Sequence, residues 1–320
     1  MKKLFIILAI LFPAIGGTKE NNSITNNIQA KADTLLVYDV VVKDGKLRNY
    51  RKPADCLRNI DEFSYIDLHG FAELKISGSA QFSRQKLPYI LQHANGKVFI
   101  VDLRQESHGF VNGKAVTWFS YRNQINSNKI PEQIYQDEKK LLAAIADNKN
   151  ITVHEIKKTG DGHFESIKNI EIEVKKVEAE QELVNQFGIN YVRFYVLDRH
   201  RPNDEQVDAF IDFIRDLPKD AWLHFHCRAG KGRTTTFMVM YDIIHNAKQV
   251  RLEDILNRHI ELGGSVLDDV SDADGSKWPE EAAIKRYKFI QSFYNYVVAS
   301  DGYGVKKWSE WIGNISTFDY

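Results

Sequence analysis

The hydrophobic pattern of this chain is clearest in its second half, where an amphipathic stretch stands between two apolar ones. Residues 190–197 alternate between polar and apolar side chains and are rich in Val, Tyr and Phe, which predicts a strand. Residues 203–217 place apolar side chains at helical spacing, with Asn203 as the N-cap residue and Gln206 as its capping-box partner. Residues 221–226 form the next strand. This order predicts two parallel strands joined by a right-handed crossover.

The same periodicities predict elements along most of the chain. Strands are predicted at residues 34–43, 97–103, 114–121, 151–157 and about 164–176, and helices at residues 131–146, 177–187, 233–246 and about 287–298. The helix at 233–246 is apolar nearly all round, which indicates burial. Strands outside the parallel unit are expected to form a small antiparallel β subdomain, or partial barrel, at approximately residues 110–178. The predicted fold class is therefore α/β.

The loop between the strand ending at 226 and the buried helix carries the residues Cys227-Arg-Ala-Gly-Lys-Gly-Arg-Thr234. Cysteine attacks as the thiolate, a form favoured by a helix N-terminus and by nearby cations. Gly230 and Gly232 let successive backbone N–H groups face one centre and form an anion nest. Arg233 offers a two-pronged donor for phosphate oxygens, and Thr234 can donate its hydroxyl to the sulfur. The loop is therefore suited to gripping and attacking a phosphate, although a buried structural cysteine is the alternative interpretation.

An acid is also needed, because the leaving oxygen of a phosphate ester must be protonated. Asp198 follows the first strand of the parallel unit, and Cys227 ends the second. The carboxyl ends of parallel strands meet at the edge of the sheet where ligands bind. Asp198 is therefore the predicted acid, although Asp204 or Asp208 could serve instead, or Asp198 could merely cap a turn.

These residues predict a two-step reaction. The Cys227 thiolate attacks phosphorus while Asp198 protonates the leaving alcohol, and water then hydrolyses the phosphocysteine. Arg233 and the loop N–H groups stabilise the charge on the phosphoryl oxygens. This route requires no metal and no organic cofactor.

The pattern His226-Cys227-x5-Arg233-Thr234 resembles the signature loop of the cysteine-dependent protein tyrosine phosphatase superfamily. The stretches Val101–Phe110, Ala221–Cys227 and Arg233–Met240 are similar to the bacterial cysteine phytases, which are tyrosine-phosphatase-like inositol polyphosphate phosphatases. The resemblance runs from roughly residue 50 to the C-terminus. It implies a tyrosine-phosphatase-like central sheet flanked by helices, with a small β subdomain beside it. It also implies stepwise hydrolysis of inositol polyphosphates such as phytate.

The resemblance implies substrate contacts as well. Those predicted from the loop are His226, Arg228, Ala229, Gly230, Lys231 and Gly232. Of these, His226 is expected to order the loop through hydrogen bonds, while Arg228 and Lys231 add positive charge to its rim. Arg199 and His200 follow the acid, on a loop that ends at Pro202. The family often has histidine directly after the acid, and here Arg199 stands there, so the substrate contacts of this loop are less well determined.

More distant contacts are implied in the same way. Arg58 aligns with an early basic residue that contacts phosphate in the family. Asp102 is predicted to lie near the inositol ring, or else to join a structural network of Arg104, Glu106 and His108. One of three basic residues near the C-terminus should reach an outer phosphate, but spacing does not fix which; these are Lys285, Arg286 and Lys288.

Two other functions remain open from the residues alone. A protein phosphotyrosine or dual-specificity phosphatase uses the same loop chemistry, so only the substrate cleft separates it from an inositol phosphatase. The basic residues around the loop favour a highly charged ligand, which supports the inositol phosphatase. A non-catalytic phosphate-binding module would be expected to lack the nucleophile, the acid or the arginine, and this chain has all three.

Composition limits the partners. Across 320 residues, 43% are hydrophobic and 27% are charged, as in soluble globular proteins. The formal net charge of zero argues against a general binder of nucleic acid or of anionic membranes. A basic pocket in a neutral protein fits a small polyanion better.

The N-terminus predicts export. Residues 1–17 combine two lysines, a short apolar run and small residues, as in a secretory signal peptide, and the apolar run is too short to span a bilayer. Residues 18–33 form a polar linker and residues 34–320 the catalytic domain. The expected location is the periplasm or the exterior, with a retained N-terminal anchor as the alternative. Since Cys56 is the only other cysteine, a reversible bridge to Cys227 is a further hypothesis.

Overall fold

The structure is a computed structural model, and it describes residues 34–39, 47–58, 65–158, 162–267, 280–300 and 306–314. The predicted signal peptide (1–17) and linker (18–33) lie outside these residues, as does part of the strand predicted at 34–43. In the described part of the chain no helix has the length and apolar character needed to cross a membrane.

Strands and helices are interspersed up to residue 227, and the described elements after it are all helices. The strands are β1 Thr34–Tyr38, β2 Ile76–Ala80, β3 Lys97–Asp102, β4 His108–Val111, β5 Lys114–Ser120, β6 Asn150–Lys158, β7 Phe164–Glu173, β8 Val177–Glu178, β9 Asn190–Arg193 and β10 Ala221–Cys227. The helices are α1 Leu87–His93, α2 Pro131–Ala146, α3 Glu180–Asn185, α4 Asp204–Arg215, α5 Gly232–Asn246, α6 Leu252–Glu261, α7 Glu280–Ala299 and α8 Trp308–Gly313. Short 3₁₀ segments cover Pro53–Arg58 and Tyr121–Asn123.

The central sheet has the order β2-β10-β3-β9, and all of its pairings are parallel. Cys227 pairs with Ala80 and His226 with Asp102, so the strands end together at one edge. The predicted parallel arrangement of β9 and β10 is confirmed, but β3 lies between them rather than the two being neighbours. The loop after β10 and the segment after β9 therefore leave the same edge of the sheet.

Helix α5 is buried along almost its whole length, as its apolar sequence predicts. It contacts β2 and β10 on the sheet and also α6 and α7. Phenylalanine rings from β10, from α4 and from the segment after β9 gather around Phe237 of this helix, with centroids 4.9–6.4 Å apart; they are Phe225, Phe210 and Phe194. Burial of each such side chain stabilises the fold by about 1.5–3 kcal/mol. The helix behind the loop is thereby fixed to the sheet.

The second sheet has the order β7-β6-β1-β5-β4-β8. Its pairings are antiparallel except for β1 with β6, where Val37 pairs with His154 in parallel. The predicted β subdomain at about 110–178 is thus completed by a strand from the start of the described chain. Together the two sheets and their helices confirm the α/β fold class.

Two local predictions need correction. Residues 177–187 are not one helix: Val177–Glu178 pairs with β4 as β8, and α3 begins only at Glu180. Asn203 caps α4 by accepting the Gln206 N–H at 3.0 Å, as predicted. The Gln206 side chain, however, accepts the Tyr195 N–H at 2.7 Å instead of completing a capping box. This contact ties the start of α4 to the segment that carries Asp198.

Candidate active site

The sulfur of Cys227 lies in a nest of donors at the end of β10. Only 3% of the residue's surface is exposed. The Gly230 N–H and the Thr234 hydroxyl both donate to Sγ, each at 3.3 Å. Two donors therefore converge on one sulfur, the atom that would attack a bound phosphate.

The backbone of the loop is turned so that its carbonyl groups face outward. The carbonyl oxygen of Arg228 accepts from the Gln81 N–H and Arg48 Nη2, that of Ala229 from Asn49 Nδ2, and that of Gly230 from Arg51 Nη1. In a trans peptide the N–H points opposite to the C=O. The N–H groups of the following residues therefore face inward, where a phosphate would lie.

Glycine at position 230 is required by the backbone and by its neighbours. Its φ is +70°, in the left-handed region. A Cβ there would lie 2.2 Å from the Ala80 nitrogen and 2.3 Å from the Ser79 carbonyl carbon, both of which belong to β2. The loop can therefore lie directly on β2 only because this side chain is absent.

Arg233 is held rigidly from behind by Glu106. Its Nη1 and Nη2 donate to the two carboxylate oxygens of Glu106 at 2.6 and 2.9 Å, and Nη1 also donates to the carbonyls of Val196 and Leu103. Both side chains are buried. Burial alone would lower the pKa of Arg233, but the carboxylates of Asp198 and Glu106 raise it well above its ordinary value. Arg233 Nε is buried, and among the described residues nothing accepts a hydrogen bond from it.

Asp198 completes this group. Its Oδ1 lies 3.0 Å from Arg233 Nη2, and its Oδ2 accepts from Asn123 Nδ2 at 2.9 Å. Burial raises the pKa of Asp198, but Arg233, together with smaller contributions from Lys158 and Arg199, gives a net shift downward. In the absence of a ligand the acid is therefore held as a carboxylate on the arginine.

The other two acid candidates serve the C-terminal helix. Asp204 accepts from Trp308 Nε1 at 2.9 Å, and Asp208 accepts from the Ser309 N–H at 3.2 Å. Both contacts hold α8 against α4. Of the three carboxyl groups, Asp198 is the one that lies beside Arg233.

Asp102 and His226 lie beneath the loop and are both fully buried. Asp102 accepts from Tyr191 Oη at 2.8 Å and pairs with Arg193 and His108 at 3.2 Å each. His226 Nε2 lies 2.7 Å from Glu180. Both side chains contact protein groups beneath the loop, and His226 is placed where it can order the loop, as predicted. Of the two interpretations of Asp102, the geometry favours the structural network.

Three side chains of this buried cluster are of the types that bind metal ions and lie close to one another. Ligand atoms of Asp102, His108 and Glu180 lie within 4.8 Å of one another. Burial lowers the pKa of His108, yet the carboxylates of Asp102 and Glu138 overcome it and raise the pKa to about 9. His108 is therefore a cation at neutral pH, and it supplies positive charge among these carboxylates.

The predicted rim residues have different surroundings. Arg228 Nε donates to Asp39 at 2.7 Å, and its guanidinium lies 4.7 Å from the Phe119 ring centroid, so this side chain is held by the β subdomain. Lys231 Nζ donates to the Gly263 carbonyl at 3.0 Å. Ala229 is exposed. A Cβ at Gly232 would meet only Arg286, at 3.4 Å, so its space is less restricted than that of Gly230.

The acid loop is fastened to α7. Arg199 has φ +70°, and its carbonyl accepts from Arg286 Nη1 at 3.3 Å. His200 Nδ1 lies 2.9 Å from the Asp198 carbonyl oxygen. Of the three basic residues near the C-terminus, Arg286 is thus placed between the acid loop and the start of α5. Lys285 pairs with Glu281 at 2.6 Å, and Lys288 is exposed.

Two further predictions concern Arg58 and a bridge between Cys56 and Cys227. Arg58 ends the 3₁₀ segment after β1, and its side chain is outside the described part of the chain. Cys56 and Cys227 are both free thiols. Burial raises the pKa of Cys56, and its charged neighbours are Glu73, Arg258 and Asp55. The bridge to Cys227 is not formed in this structure.

Sequence reasoning missed the segment that holds the loop from outside. Arg48, Asn49 and Arg51 bind the carbonyl groups of the loop from about 180 positions away in the chain. Arg51 is buried, which lowers its pKa to about 10, while Cys227 acts in the opposite direction. Two arginines within four residues were the available signal, but a charge pair does not identify its partner.

Comparisons with known proteins agree with this geometry. Residues 101–245 match the family model of the PTP-like phytases, whose description reads 'Inositol hexakisphosphate'. The matched range contains Glu106, Asp198 and the whole Cys227 loop. The chain is similar to the PTP-like phytase from Bdellovibrio bacteriovorus, with 35% identity and a TM-score of 0.67, over 87% of this chain and 94% of that one.

Two further relatives are longer. The PTP-like myo-inositol phosphatase from Mitsuokella multacida, solved in complex with myo-inositol-(1,3,4,5)-tetrakisphosphate, has 32% identity and a TM-score of 0.78, over 90% of this chain and 49% of that one. The effector protein hopD2 of Pseudomonas syringae pv. tomato is 27% identical over 255 residues, which are 78% of this chain and 54% of the relative. The chain thus spans about half the length of these two proteins.

Proposed function

Because this chain belongs to the PTP-like phytase family, we propose that it is a phosphatase that removes phosphate stepwise from inositol polyphosphates through a phosphocysteine intermediate. One observation carries the proposal: the sulfur of Cys227 and the unused Nε of Arg233 belong to one loop whose N–H groups face inward. A phosphate dianion bound there meets a nucleophile on one side and donors around its oxygens.

The first step forms a sulfur–phosphorus bond. The Cys227 thiolate attacks phosphorus, the bond to the leaving oxygen breaks, and Asp198 gives its proton to that oxygen. In the second step water attacks the phosphocysteine and Asp198 takes a proton from the water. The sulfur–phosphorus bond breaks, which releases phosphate and restores the Cys227 thiolate. Thr234, which donates to Sγ at 3.3 Å, stabilises the departing thiolate.

Substrate binding itself prepares the acid. A bidentate phosphate on Arg233 uses Nε and one Nη2 hydrogen, and Asp198 occupies Nη2 at 3.0 Å. The phosphate therefore displaces the Asp198 carboxylate. Removal of that ion pair and the arrival of a neighbouring dianion both raise the pKa of Asp198. The group is thus held ionised in the free enzyme and becomes able to carry a proton in the complex.

The surroundings of the loop favour a substrate with several phosphates. Arg48, Arg51 and Lys231 lie around the loop and interact electrostatically with one another or with Cys227. Beside the acid loop lies a cavity of about 390 Å³, whose lining includes one acidic side chain, Glu281 (paired with Lys285), and four basic ones: Arg122, His200, Arg201 and Lys285. A second phosphate on the same ring would find positive charge there, which a single phosphotyrosine would leave unused.

Export belongs to the same proposal. The N-terminal pattern of residues 1–17 supports secretion to the periplasm or beyond, where inositol polyphosphates would be met as nutrients or as targets. N-terminal sequencing of the mature protein from a cell fraction tests this. A cytoplasmic protein that keeps Met1 would contradict it.

Substrate class is tested by comparing kcat/KM for inositol hexakisphosphate with that for phosphotyrosine peptides. We expect the inositol phosphate to be preferred by at least about tenfold, because each additional well-placed charge contact contributes about 1 kcal/mol or more. A clear preference for peptides would instead identify a protein tyrosine phosphatase. Loss of the preference on replacing Lys285 by glutamine, with aryl phosphate turnover unchanged, would assign the second phosphate to the basic cavity.

A further inference from the structure

The arginines near the two ends of the catalytic loop are connected through one buried guanidinium. Arg104 Nε donates to Glu106 Oε1 at 3.0 Å, and its Nη1 donates to Asp39 Oδ2 at 2.9 Å. Glu106 holds Arg233, and the other oxygen of Asp39 accepts from Arg228 Nε at 2.7 Å. The charges therefore alternate along one continuous chain, from Arg233 at one end to Arg228 at the other.

Arg104 is fixed at the centre of this chain. It is 0% exposed. Its remaining contacts are with Gln81 Oε1 at 2.5 Å and Thr117 Oγ1 at 2.6 Å. The Thr117 hydroxyl in turn donates to Asp39 at 2.8 Å. With contacts at Nε, Nη1 and Nη2, the planar group cannot rotate, so the carboxylates on its two sides stand at a fixed separation.

We propose that Arg104 is a positioning residue that sets the separation of Arg228 and Arg233, acting through Asp39 and Glu106. Arg233 must meet the phosphoryl oxygens while the backbone from Arg228 onward faces the same centre. If Arg104 shifts, the distance between Arg228 and Arg233 is no longer fixed, and the two ends of the loop can move relative to each other. The inference rests on the proposed function, since it concerns the geometry of the same phosphate site.

Buried ion pairs of this kind are poor stabilisers compared with apolar packing of the same volume. What an arginine provides here and an apolar side chain would not is two donors at a fixed angle. Lysine keeps the charge but has no planar fork. Arg104→Lys should therefore impair the site because it removes the two fixed donors, even though it keeps the positive charge.

The test measures affinity for orthovanadate, which mimics the five-coordinate phosphorus of the transition state, alongside aryl phosphate turnover. We expect Arg104→Lys and Arg104→Gln to weaken vanadate binding and to lower kcat, both by about 10–100-fold, with KM changed less than about threefold, as for a misplaced catalytic donor. Asp39→Asn keeps the shape of the frame and should show a weaker effect in the same direction. It serves as the test if the Arg104 variants do not fold.

Two controls separate positioning from simple stability. Arg84→Gln removes another arginine–carboxylate pair, 3.1 Å from Glu178 in the β subdomain, and should leave vanadate affinity and kcat unchanged. In a Glu106→Gln background, Arg104→Lys should cost kcat little more, because Arg104 acts on Arg233 through that carboxylate. Wild-type vanadate affinity in a folded Arg104 variant, or fully multiplicative losses in the double variant, would overturn the inference.

The two proposals fail in different ways. The choice between inositol phosphates and phosphotyrosine depends on the unmodified enzyme alone. Vanadate affinity of the variants relative to wild type does not depend on which ester is the true substrate, because the probe occupies the loop itself. A tyrosine phosphatase that loses vanadate affinity with Arg104→Lys would thus refute the substrate class and support the positioning role.

Discussion

Gly230→Ala perturbs the loop at the point where it lies on β2. The new Cβ would meet the Ala80 nitrogen at 2.2 Å and the Ser79 carbonyl carbon at 2.3 Å. Backbone atoms cannot move aside like the end of a flexible side chain, and ordinary carbon contacts begin near 3.5 Å, so the loop must retreat by about 1 Å. The positive φ of +70° adds about 1–2 kcal/mol of strain for a residue with a Cβ.

A retreat of that size affects both stability and catalysis. Strain and overpacking together should lower the free energy of unfolding by about 2–4 kcal/mol. The Gly230 N–H would leave Cys227 Sγ, from which it now lies 3.3 Å away, and the inward-facing amides would lose their common centre. A misplacement of about 1 Å at a reacting centre costs on the order of 10²-fold in rate. We therefore expect kcat for aryl phosphate to fall by about that factor.

Gly188→Ala provides the matched control. Gly188 has φ +68°, almost the same as Gly230, but no atom lies within 4 Å of the position its Cβ would take. It should lose about 1–2 kcal/mol from backbone strain alone and keep its turnover. Urea unfolding and kcat are measured for both variants side by side. Wild-type turnover by Gly230→Ala, or an equal loss of turnover by Gly188→Ala, would refute the account of the loop given above.

Three further changes test separate parts of the site. Cys227→Ser should abolish turnover while calorimetry still detects binding of inositol hexakisphosphate; residual turnover above background would overturn the covalent route. Asp198→Asn should slow alkyl phosphates by about 10²–10⁴-fold and an activated aryl phosphate much less, so equal losses would speak against its role as the acid. His108 has its pKa raised from 6.5 to about 9, so its stabilising charge is fully present below pH 6.5 and is lost as pH rises through 9. His108→Gln should accordingly cost about 3 kcal/mol at pH 6, and a cost in urea unfolding that stays constant up to pH 10 would contradict this.

Local chemistry made much of the site predictable. Cys227 and Arg233 belong to one short loop, and their roles depend on residue type and spacing alone. To predict that Asp198 lies near this loop, only the parallel order of two strands was needed. The alternation in residues 190–197 and the apolar helical face of residues 203–217 predict that order. Because the ends of parallel strands share an edge, Asp198 lies beside Arg233 even though β3 separates the two strands, and its role as the acid stays a prediction.

Contacts between distant segments could not be predicted in this way. Arg51 binds the Gly230 carbonyl across 179 positions, and no periodicity in the sequence around it encodes that distance. The strand β8 has two residues, too few for an alternating pattern, so its segment was assigned to the following helix. Asp102 is the last residue of a buried strand, a position at which a carboxylate could also contact a ligand. Only its contacts with Tyr191 and Arg193 show that it faces inward.

The chain of buried charges also links ligand binding to protonation. Asp198, Glu106 and Asp39 alternate with three guanidinium groups, so the formal charge of the set is zero while Asp198 is ionised. A phosphate dianion bound beside this neutral set and the Cys227 thiolate adds two negative charges that solvent screens only weakly. Protonation of Asp198 as it leaves Arg233 removes one of them from the same volume. In the proposed mechanism, the proton needed for the leaving oxygen is thus taken up for electrostatic reasons when the substrate binds. The buried contacts of Glu106 with Arg233 would keep the guanidinium in place during the exchange.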